Sequence, residues 1–355
     1  MEFFEGIARS VNQRWKQAHY DPLRLPDIAV DVLKASPPSE HVSTEDVCRW
    51  VIESEALPKQ PNLNLNFGQP PLTVYADDRL FIEILFWLDN TTAIHEHAFA
   101  GAFHVFEGSS VHGAYRFDQK ERINGNLLLG DVDHVGVDWL TKGDVLPIRC
   151  GDEYIHALFH LDRPSATVVV RTYGLDEFRP QYRYLRPHAA LNQDGVKAQV
   201  QRTTELLQML RRTKHPAFED LLMDAVRDAD YESAFRVLWK LAEGGLLKPE
   251  VRDNAVALVR DTHGALADYL GPVLEQEARF ARKRSRSSNA DQRFFLALLQ
   301  NDPGRDEALR LIGEKYPGVP TMHLVLSWLQ AANQNSNDPI EMSEVQSLFG
   351  PVGQN

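Results

Sequence analysis

Near residue 180 the hydrophobic pattern of this chain changes from the two-residue period of strands to the 3.6-residue period of helices, and that change limits the folds that are possible. Between residues 70 and 175, β-branched and aromatic residues form short runs such as Phe81–Trp87, and turn residues separate the runs. Further on, apolar residues recur at helical spacing instead, as at Ala234 and Leu238. We therefore expect an α+β protein in which an antiparallel β-barrel or sandwich is followed by an all-helical region.

The part before the strands is also predicted to be helical. Ser43 is followed three positions later by Asp46, which resembles a capping box at a helix start. The polar segment from Pro180 to Asp194 is the expected linker between the strands and the later helices. These boundaries predict four parts: N-terminal helices over 1–60, a barrel over 61–180, a helical domain over 195–335, and a mobile tail over 336–355.

Charge and cysteine content exclude several classes of protein. Lys and Arg number 38 against 50 Asp and Glu, a formal net charge of -12, which argues against a protein built to neutralise nucleic acid or anionic membranes. Two cysteines rule out a disulfide framework and favour a reducing compartment. The first ten residues lack the apolar core of a signal peptide, and no apolar run is long enough to span a bilayer. We expect a soluble, cytoplasmic protein.

One basic run in the helical half is either a nucleic-acid site or a solvated helix end. A solvated helix end is the favoured interpretation of this run, because charge clusters on helices usually face solvent. The run consists of Arg279, Arg282, Lys283, Arg284 and Arg286.

Histidines in the strand-rich part indicate chemistry. His95 and His97 are two residues apart, so on a strand both imidazoles project to the same face and could offer two neighbouring ligands to a transition metal. Two surface histidines are the simpler alternative for this pair. A third histidine, His156, follows a Gly-Asp turn, an apolar strand and a second turn, an arrangement that brings a third ligand across a small barrel. The role of His104 is left open because its strand parity cannot be read from the sequence.

These segments resemble the two motifs of the cupin superfamily, and within it the thiol dioxygenases of the cysteine dioxygenase type. The resemblance covers roughly residues 42–180 and rests on Ile84–Trp87, on Ile94–His97, on the lone His156 and on Tyr173, seventeen residues further on. It implies a cupin-like barrel with a three-histidine Fe(II) site, for which Zn²⁺, Mn²⁺ and Ni²⁺ are alternatives. The glutamate that most metal cupins carry after the second histidine is replaced here by Gly101 or Ala102.

Two residues on the last strand of the barrel are candidate catalytic residues, Tyr173 from this resemblance and Arg171 from its charge and its strand face. Thiol dioxygenases carry a Ser-x-His-x-Tyr network there, and this chain retains only Tyr173, with Val169 and Arg171 at the other two positions. Tyr173 would donate a hydrogen bond near O₂, and Arg171 could bind a substrate carboxylate. Since both residues share a strand face, we expect both inside the barrel, with an acidic neighbour or an anionic substrate balancing Arg171.

Three functions remain open from the sequence. The leading hypothesis is an Fe(II)-dependent dioxygenase that uses O₂ on a small polar substrate, with a thiol as one candidate. The second is a non-catalytic ligand sensor or scaffold built on a cupin barrel, and the third is a non-redox metal cupin such as a lyase or isomerase. We expect neither a membrane nor nucleic acid as a partner, and the helical half is either a lid on the barrel or a surface for a protein partner.

Overall fold

Strands fill the middle of the chain and helices occupy both ends in this computed structural model, which describes residues 1–63, 67–88, 92–284, 289–334 and 339–350, without the side chains of 282–284. The helices before the strands are α1 (Glu2–Gln17), α2 (Leu25–Ala35), α3 (Pro38–His41) and α4 (Thr44–Glu53). The strands are β1 (Pro71–Ala76), β2 (Leu80–Trp87), β3 (Ile94–His97), β4 (Gly101–Glu107), β5 (Ser109–Arg122), β6 (Leu127–Thr141), β7 (Val145–Ile148), β8 (Gly151–His160), β9 (Ser165–Thr172), β10 (Tyr182–Leu185) and β11 (Ala189–Asn192).

The second half of the chain contains only helices among its described residues from 198 to 350. They are α5 (Ala198–Arg212), α6 (Phe218–Arg227), α7 (Tyr231–Glu243), α8 (Pro249–His263), α9 (Ala267–Arg284), α10 (Ala290–Asn301), α11 (Arg305–Lys315), α12 (Thr321–Asn333) and α13 (Met342–Phe349). Short 3₁₀ turns lie at Pro22–Arg24, Asp176–Phe178 and Gly264–Leu266.

The strands form two antiparallel sheets whose order is that of a jelly roll. The first sheet runs β1-β2-β9-β4-β7, and the second runs β10-β11-β6-β5-β8-β3 and closes on itself because β10 also pairs with β3. Strands β2 to β9 thus divide between two facing four-stranded layers, β2-β9-β4-β7 and β3-β8-β5-β6, which is the double-sheet arrangement of cupin barrels. The predicted α+β fold class, a cupin-like barrel between N-terminal helices and a helical C-terminal region, is confirmed.

The segment predicted to be a linker is part of the barrel. Residues 182–192 form the β10–β11 hairpin, and β11 pairs with β6 while β10 pairs with β3. The linker prediction is therefore wrong, and the barrel extends beyond the expected boundary at 180. The physical reason is that Leu185, Ala189 and Leu191 are fully buried, although polar neighbours hide this pattern in the sequence.

The N-terminal helices cover the outer face of the first sheet. Phe4, Ile7 and Val11 of α1 belong to the same buried core as Ala102 and Val168 of the sheet. Both faces of this sheet are thus covered, which explains why β2 is a nearly continuous apolar run rather than an alternating one. The predicted capping box at the start of α4 is confirmed, with Ser43 and Asp46 bonded reciprocally.

The later helices cover the closed second sheet and are bonded to it. Three arginines bridge the helical region and the barrel: Arg293 Nε donates to the Leu161 carbonyl at 2.5 Å, Arg310 donates to the Val137 carbonyl at 2.6 Å, and Arg186 donates to the Asn301 carbonyl at 2.8 Å. This packing is that of a cover on the barrel. The division of the chain into separate domains, and a protein partner for the helical half, stay predictions.

Part of the predicted mobile tail is an ordered helix. Val345, Leu348 and Phe349 of α13 are buried against α10, α11 and α12, so residues 342–349 do not fit that prediction. In the predicted basic run, Arg279 forms an ion pair with Glu344 at 2.6 Å, and the other side chains lie outside the described part. No helix in the described ranges combines the length and the apolar character that a bilayer crossing requires.

Candidate metal centre

Three histidines meet between the two sheets, and strand pairing brings them there. In the β3–β8 ladder His95 lies directly opposite His156, and a register shift in β3 then leaves His97 opposite Gly151. Since His95 and His97 alternate with Glu96, both point to the same side of β3, the side that faces the first sheet. The structure therefore brings together all three histidines predicted as metal ligands, and all three are buried.

The separation of the imidazole nitrogens is compatible with a single metal ion. One ring nitrogen from each histidine lies within 4.8 Å of those of the other two. The Nε2 atoms of His95 and His97 are 3.2 Å apart. Two nitrogens that each bind one metal ion at 2.0–2.1 Å are roughly 3.0–3.4 Å apart, so this pair already has the spacing of neighbouring ligands.

The hydrogen bonds around the cluster leave ring nitrogens available. His95 Nδ1 lies 2.8 Å from the Ala93 carbonyl and donates to it, so a neutral His95 carries its lone pair on Nε2, facing the cluster. In the described part of the chain, both ring nitrogens of His156 are buried without a hydrogen-bond partner, and so is His97 Nδ1, which lies away from the Nε2 atom that approaches His95. Buried polar atoms normally have partners, and a cation bound by the three rings would supply one.

Burial keeps these imidazoles unprotonated. It lowers the pKa of His95 to about 4, although the bond to Ala93 opposes the shift. Burial is also the main cause that holds the pKa values of His97 and His156 well below the usual range, with the neighbouring rings adding to it. Only neutral imidazole binds a metal ion, so the cluster is in its binding form at neutral pH.

A small cavity adjoins the cluster and is mostly apolar. About 40 Å³ of it is open to a water-sized molecule, which is room for roughly three waters. Its lining is Phe67, Glu83, Leu85, Trp87, Thr92, His95, His97, Phe99, Phe103, Ile148, His156, Leu158, Thr167, Val169 and Arg171. Such a volume admits only a small substrate.

Arg171 lines this cavity and has the acidic neighbour that its burial requires. Its NH1 group donates to Glu83 Oε1 at 3.1 Å, across the paired strands β2 and β9. The guanidinium carbon also lies 3.3 Å from the centre of the Phe99 ring. Burial lowers the pKa of Arg171, and the charge of Glu83 opposes that shift. The sequence reasoning missed Glu83, although it alternates with Leu85 and Trp87 as the one acidic residue on that strand face.

Tyr173 does not reach the histidines, contrary to the expectation that it shares the interior with Arg171. Strand β9 ends at Thr172, so Tyr173 lies beyond the ladder that would direct it inward. Its hydroxyl donates to the Asp77 carbonyl at 2.8 Å, and its ring packs on Phe81. A spacing of seventeen residues from His156 was too coarse to detect where the strand ends.

Replacement of Tyr173 by Phe is therefore expected to leave the centre unchanged. The substitution removes one partly exposed hydrogen bond to Asp77, which costs about 1 kcal/mol of unfolding free energy. Metal content, measured by mass spectrometry on the purified variant, should equal that of the parent protein. Loss of metal in Tyr173→Phe would instead show that Tyr173 belongs to the metal centre.

Other histidines lie near the cluster without joining it. His104 is on the opposite face of β4, where its Nε2 accepts a hydrogen bond from the Ser39 amide, so it is not a fourth ligand. His112 lies beside His156, with ring centres 5.3 Å apart, and its Nε2 is 3.1 Å from the Tyr154 hydroxyl. Neither His112 nor Tyr154 is predicted from the sequence as part of the site, although Tyr154 shares a strand face with His156.

Two buried histidines outside the cluster predict acid sensitivity. Burial lowers the pKa of His104 to about 4 and that of His160 to about 3, below the 6.5 of an unfolded chain. Below pH 6.5 the unfolded chain therefore binds more protons than the folded one. The free energy of unfolding then decreases as the pH is lowered from 6.5 to these two pKa values. We expect each histidine to lower the free energy of unfolding by on the order of 2 kcal/mol between pH 7 and pH 4.5.

Urea unfolding at pH 7 and at pH 4.5 measures this loss of unfolding free energy. The loss should be smaller in His160→Gln than in the parent protein. An equal loss in both proteins would contradict this assignment.

Comparison with known proteins gives only distant likenesses. No protein-family model and no curated protein matches the sequence. Solved structures that resemble the chain include a hydroquinone 1,2-dioxygenase from Sphingomonas sp. TTNP3 with 4-hydroxybenzoate bound, at 12% identity and TM-score 0.24 over 30% of this chain and 67% of that one. A sugar phosphate isomerase of the cupin superfamily from Silicibacter pomeroyi matches at 18% identity and TM-score 0.25, over 40% of this chain and 88% of that one.

A third likeness is to a cupin-2 domain protein from Shewanella frigidimarina. It has 11% identity and a TM-score of 0.22, over 37% of this chain and 94% of that one. Values this low carry no argument about activity, and they do not show the thiol dioxygenase subgroup. The case for a function therefore depends on the residues of the centre.

Proposed function

We propose that this chain is a metal-dependent enzyme in which His95, His97 and His156 hold Fe(II). In this proposal it is a dioxygenase that uses O₂ on a small polar substrate such as a thiol. The observation that carries the proposal is the convergence of three buried imidazoles on one point beside a small, mostly apolar cavity. Within the described residues the cluster includes no carboxylate, in keeping with the three-histidine set that the thiol dioxygenase resemblance implies.

The protein's own residues would orient the centre and exclude water from it. The Ala93 carbonyl fixes the tautomer and the direction of the His95 ring. Trp87, Phe99 and Phe103 line the cavity with aromatic surface, which keeps bulk water away from bound groups. A bound Fe(II) would supply open coordination positions for O₂ and for a donor atom of the substrate.

Metal analysis combined with O₂ uptake tests the proposal. Protein purified without chelators should contain close to one iron per chain, and it should consume O₂ when a small thiol such as ethanethiol is added. His97→Ala should lose both properties. Zinc, manganese or nickel with no O₂ uptake would favour a non-redox metal cupin instead, and absence of any metal would favour a ligand sensor or scaffold.

A further inference from the structure

In the described lining of the cavity beside the three histidines, the one acidic and the one basic side chain are paired with each other. Its ionisable side chains are Glu83, Arg171 and the three histidines. All three imidazoles are buried. Glu83 and Arg171 carry opposite charges and are bonded to each other at 3.1 Å, so they cancel.

The guanidinium of Arg171 is already held by the protein. Besides the bond to Glu83, its Nε donates to the Thr172 carbonyl at 3.3 Å. Its flat face lies over the ring of Phe99, 3.3 Å from the ring centre, and 4.9 Å from that of Phe81. These contacts neutralise and pack the cation without any ligand.

Both oxygens of the Glu83 carboxylate are also engaged. Oε1 accepts from Arg171, and Oε2 accepts from the Asn62 side-chain amide at 2.7 Å. Glu83 is 1% exposed, so water cannot screen it. A second carboxylate brought to Arg171 would compete with Glu83 for the same cation and repel it across a few ångströms of weakly polar surroundings.

We propose that Glu83 determines substrate specificity by excluding carboxylates from this cavity. The site would take a small molecule that offers one donor atom to the metal and whose remaining body is uncharged and largely apolar. This inference rests on the proposed function in treating the cavity as the substrate site, and it replaces the expectation that Arg171 binds a substrate carboxylate. Neutral small thiols fit this class, and thiols that carry a carboxylate do not.

Acetate and acetamide test the inference, because they share size and shape and differ in charge. Their binding is titrated by ligand-observed NMR to the parent, to Glu83→Gln and to the double variant Glu83→Gln/Arg171→Gln. Each titration is done on protein as purified and again after dialysis against a chelator, which removes any acetate binding that a metal ion alone provides. Near-UV circular dichroism shows whether each variant keeps the parent fold.

The parent should bind acetamide at least tenfold more tightly than acetate. In Glu83→Gln the affinity for acetate should rise at least tenfold while that for acetamide changes less than twofold, and the double variant should lose the gain. Equal or tighter binding of acetate by the chelator-treated parent would overturn the inference even if Glu83→Gln fails to fold. An unchanged acetate affinity in a folded Glu83→Gln would overturn it too. Metal content measured on the purified samples separates the two proposals, since absence of metal contradicts the enzyme proposal and leaves the acetate comparison readable.

Discussion

Alanine at His156 should reduce the metal bound by this protein to less than about a tenth of the parent value. His156 lies opposite His95 in the β3–β8 ladder and supplies one of the three nitrogens in the cluster. Outer-shell partners of metal ligands alone are worth 10–100-fold in affinity, so loss of a ligand should cost roughly 100-fold or more. Inductively coupled plasma mass spectrometry on protein purified without chelators gives the metal content.

A matched control separates loss of a ligand from general damage to the barrel. His134→Ala makes the same substitution at another largely buried histidine, on β6, whose Nδ1 lies 3.9 Å from Glu307 rather than in the cluster. This variant should keep the parent metal content. Full metal occupancy in a folded His156→Ala protein would exclude the three-histidine centre.

Alanine at Gly101 should destabilise the fold by roughly 3 kcal/mol. Gly101 begins β4 and pairs with Arg171 of β9. A Cβ atom at this position would lie 2.1 Å from the Val170 carbonyl oxygen and 2.9 Å from the Arg171 Cα. Both are backbone atoms of a paired strand, so they cannot move aside as a flexible side chain would. Urea unfolding followed by circular dichroism measures the change in unfolding free energy.

Gly136 provides the control for this substitution. It lies within β6, and an added Cβ would meet nothing within 4 Å. Gly136→Ala should leave stability unchanged or raise it by up to about 1 kcal/mol, because alanine restricts the unfolded chain more than glycine does. Equal stability of Gly101→Ala and the parent would show that β4 and β9 can separate there at little cost.

The crowding at Gly101 also bears on the ligand set. The resemblance to cupins places the missing glutamate at Gly101 or Ala102, and at Gly101 the close approach of Val170 leaves no room for a side chain. The lack of a carboxylate is therefore built into the packing of β4 against β9. Substitution of glutamate at Gly101 should unfold the barrel rather than create a fourth ligand.

The fold class and the three-histidine cluster could both be predicted from local sequence patterns. The change from a two-residue to a 3.6-residue period separates the strands from the later helices, and alternation along β3 places His95 and His97 on one face. Both are local properties, because side-chain direction follows from the backbone period of a single element. The prediction of His156 as the third ligand required only one further strand, with a turn on either side, that brings this histidine across the barrel.

The surroundings of the cluster could not be predicted in this way, because they depend on contacts between distant parts of the chain. The polar segment 182–192 forms two strands because its backbone pairs with the edges of β3 and β6. Those strands are distant in the chain, so the residues of the segment alone do not predict this pairing. Tyr173 lies outside the interior because β9 ends at Thr172, one residue before it. Glu83 meets Arg171 through a pairing of residues 88 positions apart, and that pairing sets the charge of the cavity. Sequence fixes which faces side chains share within an element, whereas register between distant strands decides which of those faces meet.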